Sequence, residues 1–189
     1  MKTKSIRALE IASVGPYSAP ALRIRTTIAV ALVMVMGLWW CGVAFAGEAK
    51  GSLIHKAKGK EVTVDLKHAY LITGPDDMEP DKIIRRLVFS ANDIGAKILS
   101  CQSMSCASGL ITEGLAVDLV SGPRFMYWLS INDGLVQYSG TTKPANLQAT
   151  IDQPGKLAGK LSFDDSAAGG PRVNIDFDTV LVKEFKTAR

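Results

Sequence analysis

Residues 61–73 alternate without interruption, and this alternation constrains the fold more than any other feature. Val62, Val64, Leu66, His68, Tyr70 and Ile72 fall on one side, with Thr63, Asp65, Lys67, Ala69, Leu71 and Thr73 on the other. Successive side chains of a strand point to opposite faces, so a period of two describes a strand buried on one side. A segment of this kind cannot be stable alone and must pair with neighbours.

Those neighbours are visible as further short runs at residues 52–56, 83–90, 115–120, 124–131, 135–139, 147–151, 156–163 and 173–185. Turn residues separate them: Lys58-Gly59, Gly74-Pro75, Gly122-Pro123, Asn132-Asp133-Gly134, Pro154-Gly155 and Gly169-Gly170-Pro171. Glycine and asparagine reach positive φ cheaply and proline fixes φ, which is why they punctuate strands. Residues 91–108 break the pattern. There Asn92 or Asp93 can cap a short helix through Ile98 and Leu99. Eight or nine strands this close together leave no room for crossover helices, so the sheet is expected to be mostly antiparallel. The expected fold is mainly β: an antiparallel β-sandwich or a partly open β-barrel with at most one or two short helices.

The first 46 residues read differently. Lys2, Lys4, Arg7, Arg23 and Arg25 precede residues 26–46, which carry no charged side chain. A basic region, an apolar run and the small-x-small triplet Ala44-Phe45-Ala46 are the order of a secretory leader, with the cut expected between Ala46 and Gly47. An apolar run this long also suffices to span a bilayer uncleaved. Cys41 as a lipid attachment point is disfavoured because bulky Trp40 precedes it. The expected organisation is therefore a leader at 1–46 and one β-rich domain at 47–189. The expected location is extracytoplasmic, periplasmic or secreted, or anchored to the inner membrane through residues 26–46.

Subtracting the leader changes the charge. The chain has 22 Lys+Arg and 18 Asp+Glu. Five of the basic and one of the acidic residues lie in the leader, so 17 of each remain. The neutral remainder has no cluster of Lys and Arg interleaved with aromatics, which argues against a nucleic-acid partner. Membrane contact is expected only through an uncleaved leader. Cys101 and Cys106 are the two cysteines left, and an even pair in an oxidising compartment is expected to form a disulfide. With His55 and His68 they make a formal zinc set, but the long gap between the histidines does not suit that metal. Asn174, Asp176 and Asp178 share a strand face, spaced too widely for one calcium ion.

Several short motifs resemble a family of exported bacterial β-rich proteins. They are Gly51-x-Leu53, Lys58-Gly59-Lys60, Leu66-Lys67-His68-Ala69-Tyr70, Val88-Phe89-Ser90, Gly159-Lys160-Leu161 and the closing residues 175–180. The family's opening has the same order of a G-x-L strand, a G-K turn and an LKHAY-type strand. The resemblance implies an exported β-rich fold and implies no activity. Residues 101–106 depart from its pattern.

No nucleophile elbow, S-x-x-K, H-E-x-x-H, P-loop or G-x-G-x-x-G occurs, so neither a cofactor nor a metal is expected. His68 is the one catalytic candidate, placed on the apolar face between Leu66 and Tyr70, where the competing role is a core histidine. His68, Tyr70 and Trp128 are the ligand-binding candidates. Trp128 lies in the dense run Phe125-Met126-Tyr127-Trp128-Leu129, which reads equally as a strand buried on both sides. The reading favours an exported non-enzymatic domain that binds a small ligand or a protein partner. Its alternatives are an extracytoplasmic hydrolase using His68 and a membrane-anchored envelope protein.

Overall fold

The structure is a computed structural model that describes residues 47–120 and 122–189. The leader, with Ala46 on one side of the expected cut, lies outside the described residues. Nine strands form: β1 (Gly47–Ala57), β2 (Lys60–Pro75), β3 (Ile83–Ser90), β4 (Gly114–Leu119), β5 (Phe125–Ile131), β6 (Val136–Thr142), β7 (Leu147–Gln153), β8 (Lys156–Asp164) and β9 (Arg172–Glu184). All belong to one sheet in the order β6-β5-β4-β3-β2-β1-β9-β8-β7. Every neighbouring pair is antiparallel, and a short parallel contact joins β2 to β9. The mainly β, antiparallel expectation is met, and of its two architectures the molecule takes the open barrel: one sheet curled into a half-barrel.

The curl follows from what the strands must bury. Odd-numbered residues of β3, β5, β8 and β9 face inward, and rings from distant strands meet there. Phe89 of β3 lies edge-on to Phe177 of β9 at 5.3 Å, and Tyr127 of β5 lies 5.0 Å from Phe163 of β8. Leu53, Leu66, Leu71, Leu87, Leu115, Leu161 and Ile175 fill the space between them. Removing this apolar surface from water is the main stabilising term, worth roughly 25 cal/mol per Å². The sheet's two edges, β6 and β7, are consecutive in sequence and joined by the 3-10 turn Pro144–Asn146. They are not paired with each other among the described residues, so the barrel stays open at that seam.

A second apolar cluster lies on the outer face of β2, β3 and β4. Two short helices cover it, α1 (Gly95–Ser100) and α2 (Met104–Gly109), with Tyr70, Ile72, Val88, Ile98 and Met104 at its centre. The chain end completes the cover. Phe185 is buried, and the carbonyls of Thr187 and Ala188 accept from the Met104 and Ser105 amides, two of the unpaired donors of the first turn of α2. The disulfide between Cys101 and Cys106 joins the end of α1 to the first turn of α2. The chain end is thus a structural element.

The alternation in β2 does not hold throughout. Val64 and Leu66 face the barrel interior, but so do Ala69 and Leu71, while Tyr70 and Ile72 face the helices. The phase changes at Lys67-His68. Opposite, Gly47 pairs with Ala69 and Gly51 with Leu66, so β1 holds one residue more than β2 across this interval. A bulge of this kind re-aims the side chains beyond it. On its other side Gly51 lets β1 approach β9 closely, because a Cβ there would stand 2.0 Å from the Asn174 carbonyl oxygen.

Candidate functional site

The site begins with an arginine inside the sheet's outer face. Arg86 interrupts the apolar stripe Ile84-Arg86-Val88 of β3 and is almost fully buried. A buried guanidinium needs a charged partner. Asp118 of β4, which is directly opposite in the sheet register, supplies it. Arg86 Nε donates to Asp118 Oδ1 at 2.6 Å and Nη2 to Oδ2 at 3.0 Å, a two-pronged pair. Nη1 donates to Ser108 Oγ of α2 at 2.6 Å, and Asp77 Oδ2 lies 3.5 Å from Nη2. Burial pushes the Asp118 carboxyl above its ordinary value. The hydrogen bond and charge of Arg86 pull it back.

The same guanidinium lies over Trp128 of β5, its carbon 4.2 Å from the ring centroid. A cation held against an indole face fixes the ring as well as attracting it. Trp128 is half-buried and lines a concavity of about 330 Å³ on the outer face. Ser130 of β5, Gln137 and Ser139 of β6, and Ser108 and Ile111 at the end of α2 line it too. The sheet register explains the grouping: Trp128 faces Ser139 across β5 and β6, and Ser130 faces Gln137. No lining side chain is charged.

Of the other sequence candidates, Tyr70 is fully buried and its hydroxyl is committed. It donates to Asp93 Oδ1 at 2.8 Å and accepts from the Ile94 amide at 2.9 Å, which ties the start of the helical segment to β2. Burial raises its pKa well above that of an ordinary phenol. His68 is half-buried on the outer face, 6.4 Å from Tyr70 ring to ring, opposite Ser90 of β3 and Glu48 of β1. It does not line the Trp128 concavity. The expectation that His68 shares the apolar face of Leu66 is corrected by the bulge, which turns it away from the barrel interior. Neither His68 nor Tyr70 lines the concavity that Trp128 lines, although Trp128 packs against the same outer cluster as Tyr70.

The aromatic run is resolved as well. Phe125, Tyr127 and Leu129 face the interior, whereas Met126 is 51% exposed and Trp128 belongs to the outer site. β5 is second from the edge and is buried fully on one face only.

A larger concavity, about 500 Å³, lies on the outer face of β1, β9, β8 and β7. Glu48, Lys50, Lys160, Asp176 and Asp178 line it. Lys50 bonds Glu48 at 2.9 Å, and Lys156 bonds Asp178 at 3.1 Å. Asn174, Asp176 and Asp178 form one exposed row, and among the described residues no group of acids, cysteines and histidines is placed to hold a metal ion. These are mutually compensated surface charges, worth little individually.

Sequence reasoning missed Arg86 and Asp118. A signal existed: each is a lone charge in an otherwise apolar alternating stripe, and their signs are opposite. Together the fold and the site define a half-open antiparallel β-barrel with one aromatic-floored outer concavity. No protein-family model, curated protein or solved structure matches the chain. The resemblance to exported bacterial β-rich proteins therefore rests on its short motifs alone.

Proposed function

We propose that the chain is an exported, non-enzymatic binding domain, and that the Trp128 concavity holds a small ligand. The observation that carries this is the fixed indole. Arg86 anchors its ring, and the concavity it lines falls at the small end of ligand-pocket volumes, roughly 300–1,000 Å³. The lining brings together two strands and a helix distant in sequence. The hydrolase alternative has less support: the His68 side chain makes no hydrogen bond among the described residues, the nearby Asp93 carboxyl is committed to the Tyr70 hydroxyl and the Gly95 amide, and His68 does not line the Trp128 concavity.

Trp128 also supplies the test. The chain has three tryptophans, and two of them, Trp39 and Trp40, precede residue 47. In the full chain carrying Trp39→Phe and Trp40→Phe, all indole emission comes from Trp128. A saturable emission change on titrating fragments of neutral, anionic and cationic chemistry is expected for one class. Emission indifferent to all three classes would rule out the site. Terminal sequencing of the exported chain is expected to begin at Gly47, and an intact leader would favour the anchored alternative.

A further inference from the structure

We propose that the ligand of the Trp128 concavity is a neutral saccharide; this rests on the reading of that concavity as a binding site. The lining chemistry selects it. Trp128 contributes aromatic surface to the concavity, and each π face of an indole, one of which Arg86 covers, carries partial negative charge. The C–H face of a pyranose is apolar and weakly positive, so it lies against such a ring without losing a hydrogen bond.

The rim is matched to hydroxyl groups. The side chains of Ser130, Gln137 and Ser139 make no hydrogen bond among the described residues, and each can both donate and accept. Sugar hydroxyls have the same dual capacity. Ser108 Oγ is already oriented, accepting from Arg86 and donating to the Met104 carbonyl.

Other ligand classes fit less well. A phosphate or carboxylate would find no free cation in the lining, because the Arg86 guanidinium is spent on Asp118 and Ser108. A cationic ligand would find no lining carboxylate. A wholly apolar ligand would strip water from Ser130, Gln137 and Ser139 and return nothing, at roughly 1–3 kcal/mol for each group left unpaired.

The test is a glycan array bearing neutral, acidic and amino sugars, probed with the full chain and followed by titration of the best glycans. Neutral glycans are expected to bind. Trp128→Ala is expected to weaken binding about tenfold, the loss of one stacked aromatic contact. Because Trp128 also covers Arg86, that variant can unfold. The pair Gln137→Ala and Ser139→Ala, on exposed positions of edge strand β6, is the second probe. It is expected to weaken binding with unchanged circular dichroism. Binding confined to charged sugars, or neutral-sugar binding indifferent to the Gln137/Ser139 pair, overturns the proposal. If no glycan binds while non-sugar fragments still shift Trp128 emission, the saccharide is wrong and the site stands. If neither produces a response, both readings fall.

Discussion

The guanidinium of Arg86 lies 4.2 Å from the ring centroid of Trp128 while its Nε and Nη2 both donate to Asp118 on the neighbouring strand. One buried cation therefore links three strands, and through Ser108 it also links α2 to the sheet. The Trp128 concavity inherits its rigidity from this arrangement.

Replacing one partner is expected to cost far more than replacing both. Asp118→Leu leaves Arg86 with the neutral Ser108 and, as its remaining carboxylate contact, Asp77 at 3.5 Å, and breaking a buried pair costs about 3–5 kcal/mol. Arg86→Met combined with Asp118→Leu removes both charges and is expected to recover much of the loss. Urea unfolding of the two variants measures this. Equal destabilisation by the single and the double change would show that the pair does not act as a unit.

The tether between Tyr70 and Asp93 makes stability depend on pH on the acid side. The Gly95 amide and then the Tyr70 hydroxyl hold the Asp93 carboxyl below its ordinary value of 3.8. A carboxyl with a depressed folded-state pKa stabilises the fold fully above its unfolded value, and the contribution is lost as pH falls through the folded value. The stability gap between the native chain and Asp93→Asn is expected to be present at neutrality and to close below about pH 4. A gap that widens on acidification would contradict the assignment.

The helical cover depends on the chain end. Truncating Phe185 to Ala empties a buried site in the outer cluster, at about 3–5 kcal/mol. Deleting residues 186–189 removes the Thr187 and Ala188 carbonyls that pair with the first turn of α2. Hydrogen exchange is expected to quicken at Met104 and Ser105 while the amides of β3 and β4 stay protected. Uniform loss of protection would mean that cover and sheet unfold together. Opening the Cys101–Cys106 disulfide is expected to loosen the same segment, with a cost of about 2 kcal/mol because the closed loop is short.

Much of the strand layout was legible before any coordinates. The Lys58-Gly59 turn takes positive φ at both residues, and Asn132, Asp133 and Gly134 all do, as their sequence suggested. These are local matters, settled by the conformational preferences of a few adjacent residues. The site was only partly legible. Trp128 was named, but nothing local to it indicates that Arg86, 42 positions earlier, would lie against its ring.

The sequence by itself determined that eight or nine short strands would form, that they would run mostly antiparallel, and where the main turns would fall. Periodicity and turn chemistry act over a few residues, so they can be read along the chain. Only the tertiary structure decided that the sheet would curl until Tyr127 met Phe163, and that a bulge between Glu48 and Gly51 would turn His68 out of the interior. It also decided that Arg86 would be buried against Asp118 and Trp128. Those outcomes depend on closing one apolar surface on itself and on finding a partner for a charge that the closure buries. Both are properties of strands brought together from distant parts of the chain.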